Sequence, residues 1–137
     1  MAGAGATQAM SAKSRGGAAP RVDGRVAEQL ADTMFALSTP SRVQILGCLL
    51  DGPHVVTELM TALDMEQSAV SHQLRVLREH KLVQVERQGR KRVYALYDEH
   101  VVALLEEALR HVEHRNKDRR RLRLRGGQER SGEAVGE

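Results

Sequence analysis

Apolar residues recur at helical spacing through most of the middle of the chain. Val26, Leu30, Met34 and Leu37 form one stripe and predict a helix over 25–37. Ser38 ends it, and Thr39-Pro40 has the form of an N-cap followed by proline at the first helical position. A second helix is expected over 41–50, where Val43, Ile45, Leu46, Leu49 and Leu50 supply apolar faces; Asp51-Gly52-Pro53 stops it. Residues 57–63 fit a short third helix, Asp64-Met65-Glu66 a tight turn, and 67–80 a fourth helix. The period then changes from helical to alternating. Residues 82–87 and 92–97 alternate as strands do, with Gln88-Gly89-Arg90-Lys91 as the turn between them. Helical spacing returns near Asp98 and persists through "DEHVVALLEEALRHVEHR".

Helix, short turn, helix over 57–80 is a helix-turn-helix pattern, and its second helix is split by chemistry. Val70, Leu74 and Leu77 would face a core, while Ser68, Ser71, His72 and Arg75 form a polar stripe, with Gln67 at the helix start. Hydroxyl, imidazole and guanidinium groups can donate to base edges or phosphates in a major groove. An ordinary solvated helix face has the same pattern, so the stripe alone does not decide. The hairpin does: its tip carries Arg87, Arg90, Lys91 and Arg92, placed to meet phosphates or a minor groove. The expected fold is mainly α with a β-hairpin wing (α+β), a winged helix-turn-helix that reads double-stranded DNA.

Composition explains why one chain is not expected to suffice. The 137 residues include three aromatics (Phe35, Tyr94, Tyr97) and one cysteine. A flexible arm over 1–24 and a basic, disordered tail expected over 116–137 leave a domain over 25–115, small enough that burial against a partner subunit is expected. Cys48 alone excludes an intramolecular disulfide framework and a cysteine-rich zinc module, and its apolar helix assigns it to the core. No apolar run approaches the ~18 residues of a membrane span, and the first 20 residues lack a secretory apolar stretch; a cytoplasmic location is expected. The net charge of +3 conceals two basic blocks. Residues 75–92 hold seven cations against Glu79 and Glu86; residues 115–125 hold seven against Asp118. Such blocks suit a polyanion, although charge alone does not separate that from two solvated faces. The second block, "RNKDRRRLRLRGG", is open to three readings: extension of the last helix, added nonspecific DNA affinity, or disordered chain.

Three of the six histidines lie on the last helix. His111 and His114, three apart, share a face and can chelate one ion. His100 is nearly three whole turns before His111, on the same side but about 16 Å away along the axis. One helix therefore cannot bring all three to one metal. An antiparallel copy can: Asp98 and His100 of one chain would meet His111 and His114 of its mate, twice, about a two-fold axis. Val101, Leu104, Leu105, Ala108 and Leu109 would form the seam of the homodimer. Individually, Asp98 also serves as a helix cap and the histidines as cations near a helix C-terminus. One carboxylate and three imidazoles satisfy tetrahedral zinc or cobalt, and imidazole also suits nickel.

The spacing D-x-H-x10-H-x2-H, with "ALSTPSRVQIL", "MEQSAVSHQLRVLREHKLV" and "GRKRVYALYDEHVVALLEEALRHVEH", resembles the ArsR/SmtB metal-sensing repressors over roughly residues 26–114. Their actinobacterial nickel/cobalt-sensing branch is the most similar. The resemblance implies a homodimer whose metal-free form occupies operator DNA and whose metal-bound form lets go. It also implies a relay from liganded His111, through its second ring nitrogen, to backbone near His72. Relatives that sense thiophilic metals carry cysteines in the first helix of the helix-turn-helix; "VVTELMTAL" has none. The nickel branch adds ligands from a histidine near the N-terminus. Here the first histidine is His54 and none follows His114, which favours zinc or cobalt and leaves nickel to an α-amine contribution. A metal-dependent hydrolase is disfavoured, because four ligands leave no open position and no nucleophile or phosphate-loop motif is present. A metal-blind winged-helix regulator is the remaining alternative.

Overall fold

The computed structural model describes residues 18–133. Five helices and one hairpin follow in the order α1 (Gly24–Ala36), α2 (Pro40–Leu50), α3 (Val56–Leu63), α4 (Gln67–Glu79), β1 (Val83–Gln88), β2 (Lys91–Leu96) and α5 (Glu99–Glu133). The chain divides into two units between Phe35 and Ala36. In the first, Asp23 caps α1: its Oδ1 accepts the Val26 N–H at 2.9 Å. The stripe of Val26, Leu30 and Met34 is exposed.

The second unit holds the core. Ile45 and Leu46 of α2, Leu59 of α3, Val70, Leu74 and Leu77 of α4, and Val83 of β1 are all fully buried. Each such side chain contributes about 1.5–3 kcal/mol by leaving water. Thr39 has the extended backbone of an N-cap (φ −117°, ψ 140°) and Pro40 opens α2, as the sequence implied. The cap itself differs: the Thr39 hydroxyl makes no capping bond and is buried without a partner among the described residues. Asp64 ends α3 in the left-handed conformation (φ 50°, ψ 52°), which aspartate tolerates better than most side chains, and so turns the chain into α4.

Two ties cross this core that periodicity does not reveal. Arg42, in the first turn of α2, is buried; its Nε donates to the Ala36 carbonyl at 2.5 Å and its guanidinium to Gln73 Oε1 of α4 at 3.2 Å. His54 exchanges both backbone hydrogen bonds with Tyr94 (2.9 and 2.8 Å), so a single residue adds to the hairpin sheet beside β2.

The hairpin is antiparallel, with Val83 opposite Leu96 and Gln88 opposite Lys91. Gly89 and Arg90 make its two-residue loop. Gly89 has φ +63° and Arg90 does not share that sign, the pattern of a turn with glycine at the first central position. The strand bounds differ by one residue from the sequence expectation.

Helix α5 departs from expectation in two ways. It continues through the basic block to Glu133, so among the readings left open for that block the structure shows helix. Val101 and Leu105, assigned above to an intersubunit seam, are instead buried in the core of their own chain. They lie at i, i+4, where α5 packs on α2 and β2. Of the remaining seam residues, Leu104 is half-buried, and Ala108 and Leu109 are exposed, with Val112 beyond them.

Candidate nucleic-acid interface and metal centre

The polar stripe of α4 stands in solvent because the opposite stripe is anchored. With Val70, Leu74 and Leu77 fixed inward, Ser68, Ser71, His72 and Arg75 are all exposed, as is Gln67. Arg75 Nε lies 3.8 Å from Glu79 Oε1, with both side chains well exposed, a pairing weak enough to exchange for a phosphate. The stripe runs along a helix wide enough only for a major groove, and it mixes donors with small hydroxyls.

The wing concentrates charge at its tip. Arg87 lies directly opposite Arg92, flanked by Arg90 and Lys91, and all four are exposed. Like charges directly opposite on a hairpin repel, so this placement costs stability in the free protein. None of the three ion pairs among the described residues involves the wing. A shallow groove lined by Val55, Val56 and Thr57, at the α3 N-terminus, with Lys91 and Arg92 joins the wing to the helix-turn-helix. The sequence does not reveal this groove, because the His54–Tyr94 pairing that helps bring the two segments together has no period. Glu58 Oε1 accepts the Val55 N–H at 3.0 Å, so one of the free donors at that helix end is already satisfied.

The candidate metal residues lie toward opposite ends of a stretch of α5. Asp98 is its N-cap: Oδ1 accepts the Val101 N–H at 3.0 Å, which leaves Oδ2 available. His100, His111 and His114 are exposed. His114 Nε2 lies 3.4 Å from Asp118 Oδ2. Glu107 falls on the same side of the helix, but Arg110 engages it, and that hydrogen bond holds the guanidinium more firmly in its charged form. Among the described residues of one chain, no three His, Cys, Asp or Glu side chains gather as a metal site. By helical rise alone, His100 and the His111/His114 pair can reach one ion only from two chains. The donor set fits a divalent transition metal: three exposed imidazoles on α5 and one carboxylate oxygen to spare at its N-cap.

Cys48 packs against the core; burial, then Asp51, pushes its thiol up and away from thiolate chemistry. His72 and His111 are both exposed, and no hydrogen bond among the described residues joins them. A different connection is visible. The N–H of Tyr97, one residue before Asp98, donates to Leu82 O at 3.0 Å, and the Leu82 N–H donates to Leu77 O of α4 at 2.9 Å. The arm over 1–24, including the α-amine considered as a ligand, lies mostly outside the described residues. No helix among the described residues is long and apolar enough to cross a membrane.

Known proteins are similar to this chain in sequence and fold. The arsR family of bacterial regulatory proteins matches residues 39–85. The HTH-type transcriptional regulator NmtR of Mycobacterium tuberculosis is 57% identical over 93 residues, 68% of this chain and 78% of that protein. The solution structure of apo-NmtR superposes with a TM-score of 0.61 at 53% identity, covering 74% of this chain and 85% of the other. A transcriptional repressor SmtB homolog of Synechocystis is 40% identical over 87 residues, 64% of this chain and 66% of that protein. The homodimeric winged helix-turn-helix DNA-binding domain Mb0332 of Mycobacterium bovis matches with a TM-score of 0.62 at 28% identity, covering 70% and 91% of the two chains. With a relative this similar over most of its length, the chain belongs to the arsR family of bacterial regulatory proteins.

Proposed function

We propose that the chain is a metal-responsive transcriptional repressor whose homodimer binds operator DNA when metal-free and releases it when a divalent ion occupies the paired α5 helices. The observation that carries this reading is the division of labour on one chain. A winged helix-turn-helix with an exposed polar α4 stripe stands beside imidazole and carboxylate donors that cannot form a site without a second chain. Gln67, Ser68, Ser71, His72 and Arg75 enter the major groove. Arg87, Arg90, Lys91 and Arg92 neutralise phosphates, where the repulsion between Arg87 and Arg92 is relieved.

Asp98 and His100 of one chain and His111 and His114 of the other hold the metal, which supplies a cross-link between the α5 helices. Zinc, nickel and cobalt all accept this donor set. Ligands at the start of α5 are tied to the DNA-reading elements by Tyr97, Leu82 and Leu77, so fixing Asp98 and His100 constrains the base of the wing and the end of α4 together. The relay that the family resemblance implies, from liganded His111 to backbone near His72, would complement this tie. The affinity ratio for DNA with and without metal equals the reciprocal effect of DNA on metal binding; couplings of about 1–3 kcal/mol correspond to about 5–150-fold.

The test is a DNA-binding titration against zinc, nickel and cobalt on the native chain and on the double variant His111→Ala, His114→Ala. The variant should bind DNA within twofold of the native chain without metal and lose the metal-driven release. A variant that still releases DNA fully, or a native chain indifferent to all three metals, overturns the reading; the second result would establish a metal-blind regulator.

A further inference from the structure

We propose that Asp118 is an additional ligand of the intersubunit metal site, giving each site five protein donors instead of four. The inference rests on the metal-site reading above and deepens it. Because α5 does not stop at Arg115, Asp118 is placed one turn beyond His114 and two turns beyond His111, on the same side of the helix.

The observed contact has the dimensions of a chelate. His114 Nε2 and Asp118 Oδ2 are 3.4 Å apart, longer than the roughly 2.7–3.2 Å of an N–H···O hydrogen bond. Two donors each about 2.1 Å from one ion are separated by about 3.0 Å at a right angle and about 3.4 Å at the tetrahedral angle. The pair therefore already stands at the spacing of adjacent corners of a coordination polyhedron. Nε2 is also the ring nitrogen farthest from the helix backbone.

The surroundings of Asp118 make this pairing selective. It is the one acid among seven cations over 115–125, yet its one ion pair among the described residues is with His114. The two side chains are 76% and 53% exposed, so a second chain can reach both. Glu107, the other acid on this side of the helix between the histidines, is engaged by Arg110. The set becomes Asp98 and His100 from one chain with His111, His114 and Asp118 from the other. A fifth donor moves the site away from the closed four-coordinate arrangement of zinc and toward nickel or cobalt.

The test uses the full-length dimer loaded with cobalt(II), followed by absorption and by competition with a chelator. Native protein, Asp118→Ala and Glu113→Ala are compared; Glu113 has the same charge, adjoins His114, and lies on another face. The native protein should show the weak ligand-field bands of five- or six-coordinate cobalt. Asp118→Ala should show intense four-coordinate bands and bind cobalt at least about tenfold more weakly. Glu113→Ala should match the native protein, and circular dichroism should show equal helix content in all three. An intense four-coordinate spectrum in the native protein overturns the proposal. So does an Asp118→Ala spectrum and affinity within twofold of native, or an equal loss in both variants, which would reduce the effect to charge. Those outcomes leave the four-ligand site standing. Failure of the native protein to bind cobalt at all removes that site and Asp118 with it.

Discussion

The helix-turn-helix with its wing and the long final helix solve opposite problems with similar residues. In the first, the polar stripe of α4 is backed by buried Val70, Leu74 and Leu77, and the wing is anchored at its base by Val83, Tyr94 and Leu96 while its cationic tip stands in solvent. Its geometry is set within one chain. In α5, Val101 and Leu105 anchor the helix in the core, and beyond Leu105 each of the next twenty residues is exposed. Its donors are positioned along the axis by helical rise but are incomplete without a mate. In the proposed repressor the reading surface is built within one chain, whereas the sensing surface is left for assembly to finish.

If that contrast is right, truncating apolar side chains should have unequal effects in the two regions. Leu74→Ala should cost about 2–5 kcal/mol, because it opens a cavity under the DNA-facing stripe. Leu124→Ala, on the exposed stretch, should change stability by less than about 0.5 kcal/mol. Urea unfolding at fixed protein concentration measures both, and equal losses would erase the distinction. A smaller effect separates reading from sensing on DNA. Replacing Arg90 and Lys91 by alanine should lower the magnitude of the slope of log affinity against log salt by about 0.9 for each phosphate left without its cation, about 1.8 in all. The ratio of affinities with and without metal should stay unchanged; a change in that ratio would place the wing tip in the sensing half. The smallest effect tests the one flaw in the reading scaffold. Thr39→Val removes a buried hydroxyl without a partner and should stabilise the fold by about 1 kcal/mol, visible as a higher unfolding midpoint.

The legibility of the two regions follows the same line. Helices α2 to α4 and the hairpin were readable because a one-sided core writes its period into the sequence, and Thr39-Pro40, Asp64 and Gly89 punctuate it. The polar stripe of α4 and the Asp98 cap were readable for the same reason. Arg42 was not: a guanidinium in the first turn of a helix has the sequence signature of a solvated residue, and only the Ala36 carbonyl and Gln73 reveal its burial. His54 was invisible because one residue of sheet pairing has no period. Val101 and Leu105 show a subtler failure. An apolar stripe states that a face is covered without stating by which chain, so residues belonging to the core were assigned to a seam. Past Arg115 the chain has neither stripe nor stop signal until Gly126-Gly127, so helix and coil looked alike, and Asp118 could not be placed beside His114.

The anchoring of α5 at Val101 and Leu105 makes the helix a lever with a short fixed end. His114 lies nine residues past Leu105, about 14 Å out, and Glu133 lies about 42 Å out. A swing of about 5° about the anchor moves His114 by about 1.2 Å, enough to take it out of bonding range. Metal–ligand distances tolerate about 0.2 Å, which at that radius corresponds to about one degree of tilt. In the proposed site, ligation at His114 would act as a goniometer stop, fixing the direction of α5 to about a degree. The fulcrum of that motion is in the core of the domain that touches DNA.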